Sequence, residues 1–168
     1  MREMEVPYRG HIVSVELIPR ENGGRWEVVR HPGAVAILAL AGGRAVLVRQ
    51  FRAAVNREIL ELPAGKVEEG EDPLSTAQRE LKEETGYRGG QWERLASFYT
   101  SPGFCDEEIT LFRVTNPEPG TACPDEGEDI SLCLVSAPQA RRLIEEGRIA
   151  DAKTLLALKS FWPEGSGS

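Results

Sequence analysis

Two stretches near the start of the chain alternate between apolar and polar residues around a tight turn. "GHIVSVELIP" and "GGRWEVVR" meet at "ENGG", and an Asn-Gly step between runs of period two is typical of a β-hairpin. A second pair, "AVAILAL" and "RAVLVRQF", flanks "AGG" and is almost continuously apolar, as in strands covered on both faces. The pattern predicts an N-terminal antiparallel unit and then two strands central in a sheet.

A helix with both ends marked follows in the middle of the chain. "EILEL" predicts a short strand before it and "PAGKVEEGE" a loop. Asp72 suits the N-cap, Pro73 the first helical position, and Gly86 the residue just past the end. The helical period places three apolar residues on one face, toward the core: Leu74, Ala77 and Leu81.

The rest of the chain reads as three strands and a helical region. "WERLASFY", "EITLFRVT" and "ISLCLVS" are separated by "TSPGFCDE" and by the acidic, Pro- and Gly-rich "NPEPGTACPDEGED". Residues 137–162 have a helical pattern with a break expected at Gly147. We therefore expect one domain over residues 1–162 and a flexible tail over residues 163–168.

Composition supports a soluble globular domain. The 168 residues are 40% hydrophobic and 28% charged. No apolar run approaches the roughly 20 residues that cross a bilayer, and "MREMEVPYRG" lacks the apolar core of a secretion signal. We expect a cytoplasmic protein that does not bind a membrane.

Charge and cysteine content narrow the class of partner. The net charge of −7 disfavours nucleic acid, which needs a surface rich in Lys and Arg. An anionic ligand would need cations to mediate its binding. Cys105, Cys123 and Cys133 match neither a disulfide framework nor a paired-cysteine zinc site, so we expect reduced thiols without a role in the chemistry.

The helix carries acids where they should repel one another. In "RELKEETG", Glu80, Glu83 and Glu84 are spaced one turn or less apart, and each close pair costs about 0.2–0.5 kcal/mol. A solvated helix face, helped by Arg79 and Lys82, is the plain interpretation. A missing cation is the functional one.

The three glutamates belong to a longer pattern in which both residue type and spacing are defined. It fixes nine positions over 23 residues: Gly65, Glu71, Arg79, Glu80, Leu81, Glu83, Glu84, Gly86 and Tyr87. This pattern matches the Nudix box at every defined position, so the chain resembles the Nudix hydrolases. The resemblance implies that Glu80, Glu84 and the carbonyl of Ala64 bind a divalent cation, Mg²⁺ or alternatively Mn²⁺ or another divalent ion, which prefers oxygen ligands.

The resemblance also implies roles for the other box residues. Arg79 would orient Glu83, which is expected to act in catalysis, although an ordinary surface pair would have the same spacing. Gly65 would let the backbone approach metal or phosphate, because it has no Cβ. For Glu71, a structural role and a role near the metal both remain open.

Outside the box, nearly the whole chain is similar to the ADP-ribose or ADP-sugar pyrophosphatase branch of that family. The similar stretches are "WEVVRHPGAVAIL", "VRQFR" with "EILELPAGKVEEGE", and "SPGFCDE". A Pro-Gly loop follows the box in that branch. Pro102 and Gly103 therefore favour ADP-ribose over nucleoside triphosphates.

Positions that match this branch predict the substrate contacts. Trp26 would stack on adenine, although it could equally belong to a hairpin core. Arg52 would lie near the diphosphate, and Phe104 beside the substrate. Glu61 would lie by the metal-binding loop, with an edge-strand surface acid as the alternative, and Glu107 would contact the terminal ribose.

A general base is expected on the acidic loop "DEGEDI", because a carboxylate there could take the proton of the attacking water. By analogy within the branch, Glu126 is our choice as base and Glu128 as an added metal ligand. Asp125 and Asp129 are alternatives, and a purely solvated loop is another. Of the two histidines, neither His11 nor His31 fits a catalytic role, and His31 suits a turn or packing position.

The resemblance implies an α+β fold: a Nudix-type α/β/α sandwich with a mixed β-sheet, plus the N-terminal antiparallel hairpin unit. It implies metal-dependent hydrolysis of ADP-ribose, or a similar ADP-sugar, to AMP and ribose 5-phosphate. Residues 1–32 are expected at the interface of a homodimer. The alternatives are another nucleoside diphosphate substrate (a GDP-sugar, NADH or a flavin nucleotide) and a sensor that binds ADP-ribose without hydrolysing it.

Overall fold

The computed structural model describes residues 4–123 and 129–162. The strands are β1 (Glu5–Arg9), β2 (Ser14–Pro19), β3 (Arg25–Arg30), β4 (Ala34–Ala41), β5 (Arg44–Arg52), β6 (Arg57–Glu61), β7 (Ala64–Lys66), β8 (Gln91–Tyr99), β9 (Glu108–Thr115) and β10 (Ile130–Val135). The helices are α1 (Pro73–Thr85), α2 (Ala137–Glu145) and α3 (Ala152–Ser160).

The N-terminal unit is a small antiparallel sheet in the order β1-β2-β3. The hairpin β2–β3 is confirmed, with Ile18 opposite Trp26. Strand β1 was not predicted, because "EVPYR" is short and contains a proline. The register of β1 against β2 shifts between Glu5 and Tyr8. A proline is tolerated at such an irregular edge, since it has no N–H to donate.

The main sheet runs in the order β10-β5-β4-β9-β8, with β6 also paired to β5 and β7 to β4. Strands β4 and β9 are parallel, whereas the other pairs are antiparallel. The expectation of a mixed sheet with the two most apolar strands at its centre is confirmed.

Alternate residues of β4 enter two separate cores. On one face, Val35, Ile37 and Ala39 share a buried cluster with Ala77 and Leu81 of α1. The other face packs against α2, α3 and the turn between them: Ala36, Leu38 and Leu40 with Ala140, Ile149, Ala157 and Leu158. Helices therefore cover both faces of the sheet, and the predicted sandwich is confirmed.

Both ends of α1 are where the sequence predicted them. Asp72 Oδ2 accepts hydrogen bonds from the backbone N–H groups of Leu74 at 3.1 Å and Ser75 at 3.2 Å. Gly86 ends the helix with φ +77°, and a Cβ there would lie 2.5 Å from the carbonyl oxygen of Gly120. The glycine thus serves both the helix end and a close backbone contact. The predicted break at Gly147 also falls between α2 and α3.

The start of β4 joins two distant loops. Ala34 pairs with Lys66 of β7 on one side and with Ile109 of β9 on the other. The loop before α1 and the loop before β9 therefore meet at the same end of the sheet. This convergence sets the location of the candidate site.

Across residues 4–123 and 129–162, no helix has both the length and the apolar character needed to span a bilayer.

Candidate active site

The three glutamates of α1 lie along an edge of the helix that is only partly open to water. Glu84 is buried, with 7% of its surface exposed. The side chain of Glu80 is largely covered, and that of Glu83 is about one-third exposed. This decrease in exposure from Glu83 to Glu84 contradicts a uniformly solvated face, because burying an uncompensated carboxylate costs free energy.

Arg79 holds three carboxylates together. Its Nε and Nη2 donate to the two oxygens of Glu71 at 3.2 and 3.1 Å. Its Nη1 donates to Glu80 at 2.8 Å and to Glu83 at 2.9 Å. The contact with Glu83 was predicted from the spacing, whereas those with Glu71 and Glu80 were not. The hydrogen bonds to Glu71 are the largest of the effects that raise the pKa of Arg79.

The same pairing acts on Glu71. Hydrogen bonds from Arg79 and then from Thr76 hold the pKa of Glu71 below its ordinary value. A carboxylate that accepts hydrogen bonds from one guanidinium on both of its oxygens has a defined orientation. Because both oxygens of Glu71 accept from Arg79, the contacts favour a structural role for Glu71 over a role near the metal.

Part of the predicted loop before α1 is strand β7, and the chain is held in place there at three consecutive residues, beginning with Pro63. The carbonyl of Pro63 accepts from Ile37 N–H at 2.9 Å. Ala64 N–H donates to Glu84 Oε2 at 3.2 Å. Gly65 lies beneath Glu80 so closely that a Cβ would fall 1.9 Å from the Glu80 Cδ atom. The absence of a side chain at residue 65 is thus required by the position of the Glu80 carboxylate.

The oxygen atoms at this site suit a hard divalent cation. Glu80 and Glu84 present carboxylate oxygens beside the backbone of Ala64 and Gly65, and oxygen ligands suit Mg²⁺. Within the described ranges, no three Asp, Glu, His or Cys side chains form a group that could hold a metal by themselves. These side chains could supply only part of a coordination shell, which is usual for magnesium because it retains waters and binds substrate phosphates.

An aromatic cavity of about 380 Å³ lies between β3 and the loop before β9. Trp26, Tyr99 and Phe104 line it, and each is more than half exposed. Exposure of Trp26 excludes the alternative of a hairpin core within one chain. The Arg20 guanidinium lies 3.6 Å from the centre of the Trp26 ring. One face of the indole is therefore covered by a cation.

Backbone contacts fix the cavity. Val29 N–H donates to the Phe104 carbonyl at 2.7 Å, and Asp106 N–H donates to the Val29 carbonyl at 3.2 Å. Asp106 accepts from His31 N–H at 2.8 Å and from Arg30 at 3.0 Å. Burial raises the pKa of Asp106, but these hydrogen bonds outweigh it and the net shift is downward.

Glu107 and His31 lie beside this loop. Glu107 accepts from the Thr100 hydroxyl at 2.8 Å. His31 Nδ1 accepts from Gly33 N–H at 3.2 Å, which makes His31 a turn residue, as predicted. The ribose contact assigned to Glu107 stays a prediction.

Glu61 is buried between two cations. Only 1% of the residue is exposed, so the alternative of a surface acid is wrong. Its Oε1 accepts from Arg52 Nε at 2.6 Å and its Oε2 from Lys153 Nζ at 2.7 Å. Occupation of both oxygens favours support of Arg52 over direct contact with substrate.

The expected base Glu126, the expected ligand Glu128 and the alternative Asp125 lie outside the described residues. The structure does place the residues on either side. Cys123 N–H donates to the Glu83 carbonyl at 2.9 Å, and Ile130 pairs with Gln50 of β5.

Sequence reasoning missed Arg20, Tyr99 and Lys153. Arg20 directly follows a predicted strand, and Tyr99 is the last residue of another. An aromatic at that strand end would have been the signal for Tyr99. Lys153 is 92 residues from Glu61 along the chain. No local pattern connects them.

Comparison with known proteins decides the family. A model of the NUDIX domain matches residues 29–158. This chain belongs to the Nudix family.

The Nudix protein is similar over most of its length to bacterial relatives. It is 42% identical over 159 residues to the methanol dehydrogenase activator of Bacillus methanolicus, covering 90% of this chain and 86% of the relative. It is 41% identical over 153 residues to the ADP-ribose pyrophosphatase of Bacillus subtilis, covering 89% and 82%. The resemblance to a Nudix hydrolase of the ADP-ribose pyrophosphatase branch is confirmed.

A solved structure confirms the fold. The crystal structure of an ADP compounds hydrolase superposes on this chain with a TM-score of 0.79, over 94% of this chain and 88% of the other, at 22% identity. The Nudix-type sandwich is therefore confirmed by structure as well as by sequence.

The Glu71–Arg79 pair generates a pH-dependent prediction. Because the folded-state pKa of Glu71 is lowered, its stabilising effect is present above the ordinary value of 4.5 and is lost as the pH falls through the lowered pKa. Urea unfolding should show Glu71→Gln less stable than wild type near neutral pH, with the difference shrinking on acidification. Glu69→Gln, at an exposed position in the same loop, is the matched control and should change stability much less. A Glu71→Gln deficit that is unchanged in acid would contradict the assignment.

Proposed function

We propose that this Nudix hydrolase cleaves the diphosphate of ADP-ribose to AMP and ribose 5-phosphate with the help of a divalent cation. One observation carries the proposal: the carboxylate-lined loop and the aromatic cavity converge on the start of β4. Acids suit the cation and aromatic rings suit a base, so the two halves of a nucleotide diphosphate have complementary surfaces at one end of the sheet. The similarity to an ADP-ribose pyrophosphatase over 89% of the chain supports the choice of nucleotide.

The box residues would hold the cation. Glu80, Glu84 and the carbonyl of Ala64 are the proposed ligands, and Arg79 keeps Glu80 and Glu83 in place. A bound divalent cation supplies neutralisation of the nonbridging phosphate oxygens and lowers the pKa of an attacking water. Gly65 keeps the space next to Glu80 clear of any side chain.

The remaining contacts follow the shape of the substrate. Adenine would stack on the open face of Trp26, since Arg20 covers the other face, with Phe104 and Tyr99 lining the same cavity. Arg52 would meet the diphosphate, and Glu107 the terminal ribose. Stacking on aromatic side chains is worth about 1–3 kcal/mol per base in single-stranded nucleic acid complexes.

The reaction needs a group that removes a proton from water. We assign this to Glu126, with Glu128 as an added metal ligand. Water then attacks one phosphorus, the anhydride P–O bond breaks, and the two monophosphates leave. The hydrogen bond from Cys123 to Glu83 supports this assignment, because it ties the residue just before the acidic segment to the box helix.

The N-terminal sheet is proposed to form the interface of a homodimer. Large apolar side chains of this region stand in the open: Met4, Tyr8, Ile12 and Trp26. Exposed large apolar residues on and beside one small sheet are typical of an association surface.

The substrate assignment predicts AMP release from ADP-ribose in the presence of Mg²⁺ or Mn²⁺. A panel containing ADP-ribose, a GDP-sugar, NADH and a flavin nucleotide, followed by chromatography, measures the preference. ADP-ribose should give the highest kcat/KM, and EDTA should abolish turnover. Faster cleavage of another compound would refute the substrate, and tight binding without AMP formation would favour a sensor.

The position of Gly65 predicts a separation of activity from stability. In Gly65→Ala the new Cβ must displace the Glu80 carboxylate, so turnover should fall about tenfold or more. Stability should change little, since the displaced atoms end a flexible side chain. The opposite result is expected for Gly42→Ala, at a turn with φ +54° and no atoms within 4 Å. That variant should lose about 1 kcal/mol in urea unfolding and keep its activity. Normal turnover of Gly65→Ala would refute the role of Glu80.

The dimer proposal predicts a particle of twice the 18.5 kDa chain mass by size exclusion with light scattering at micromolar concentration. Tyr8→Glu should shift the protein toward monomer, because a charge would then be buried at the interface. Leu132→Glu is the control, since Leu132 is equally an exposed apolar residue but lies on β10. A monomeric wild type would contradict the proposal.

A further inference from the structure

Glu61 is a buried carboxylate that two cations share. Each of its oxygens takes one partner, Arg52 at 2.6 Å and Lys153 at 2.7 Å. A buried charge that loses all its partners is strongly destabilising. The carboxylate therefore needs at least one of the two cations at all times.

The two cations are held very differently. The Lys153 side chain is 12% exposed and its ammonium group also contacts Asp151 at 3.1 Å. The Arg52 side chain is 39% exposed and donates through Nε alone, to Glu61 alone among the described residues. Its two terminal nitrogens remain as donors for another acceptor.

Lys153 is fixed because the first turn of α3 is tied to the strand end that carries Glu61. The Thr154 hydroxyl accepts from Leu62 N–H at 2.9 Å and donates to Asp151 at 2.6 Å. Asp151 also accepts from Thr154 N–H at 3.0 Å, as the N-cap of α3. The first of these contacts is buried and the other two are partly buried, so the backbone at Lys153 is held beside Glu61.

Arg52 stays charged, and the carboxylates around it, including Glu84 of the box, stabilise that charge. Burial lowers the pKa of Arg52, but the hydrogen bond to Glu61 and the charges of Glu61, Glu84 and Asp151 outweigh it and raise the pKa. The charge of Glu84, a proposed metal ligand, thus acts on Arg52 as well, so the metal site and the group of Arg52, Glu61 and Lys153 are electrostatically connected.

We propose that Lys153 is a positioning residue, which keeps Glu61 compensated so that the Arg52 guanidinium can bind the substrate diphosphate. This rests on the proposed function, in which Arg52 meets that diphosphate. With Lys153 in place, Arg52 can turn from Glu61 to an anionic ligand without leaving a buried carboxylate unpaired.

The proposal predicts a coupling between two substitutions. In Lys153→Met, Arg52 becomes the only cation among the described residues that contacts Glu61, so ADP-ribose should bind about tenfold more weakly, with a smaller fall in kcat. Glu61→Gln removes the charge that needs compensation. The double variant Glu61→Gln/Lys153→Met should therefore bind within about threefold of Glu61→Gln alone. Lys153→Arg keeps the charge and should largely preserve binding.

Affinity is measured by calorimetry with ADP-ribose in EDTA, where turnover is blocked, and KM and kcat are measured with Mg²⁺. Urea unfolding of every variant separates affinity from folding. A merely structural Lys153 would lower stability and kcat without rescue by Glu61→Gln. Wild-type affinity in Lys153→Met, or a double variant that binds as poorly as Lys153→Met, overturns the proposal.

The wild-type control separates this inference from the substrate assignment. If another nucleoside diphosphate is bound and cleaved instead of ADP-ribose, the affinities of the same variants are measured with that compound, and only the assignment of ADP-ribose fails. If the wild type binds ADP-ribose but Glu61→Gln and Lys153→Met show no coupling in their effects on affinity, only the role of Lys153 fails. If the wild type recognises no nucleoside diphosphate, both fail.

Discussion

The grouping of carboxylates by Arg79 is the interaction on which the candidate site depends. Glu71, Glu80 and Glu83 all contact one guanidinium, which supplies every one of its nitrogen positions to them. One positive charge orders three negative ones but cannot cancel them. The helix edge thus stays anionic while its side chains are held in place, which is the condition for preorganised binding of a cation.

The sheet converts this local order into a site. Because β4 pairs with β7 on one side and β9 on the other, residues far apart in sequence border the same strand end. The parallel pairing of β4 with β9 is essential here, since it brings the start of β9, and the loop before it, to the end of β4 that also pairs with β7. The two buried faces of β4 fix that strand in the core and with it both loops.

Much of the fold could be predicted from the sequence, because its signals are local. The cap at Asp72, the helix end at Gly86 and the alternating faces of β4 depend on neighbours a few residues away. The pairing of β4 with β9 and the contact of Lys153 with Glu61 depend on tertiary structure. So does Arg20, whose position over Trp26 follows from the hairpin register and not from any motif. The box acids could be assigned from their spacing, whereas burial of Glu61 was invisible, since a glutamate in a short strand carries no sign of its partners.

Two arginines in the site illustrate how the number of partners decides what a charged residue can do. Arg79 uses Nε and both terminal nitrogens on carboxylates of its own chain, so a ligand would have to displace an existing contact. Arg52 uses Nε on a carboxylate that a second cation already compensates. Displacing Arg79 would release three carboxylates at once, whereas moving Arg52 would leave Glu61 paired with Lys153. This difference supports our proposal that Arg52 is the arginine that binds an anionic substrate, while Arg79 keeps the acids ordered.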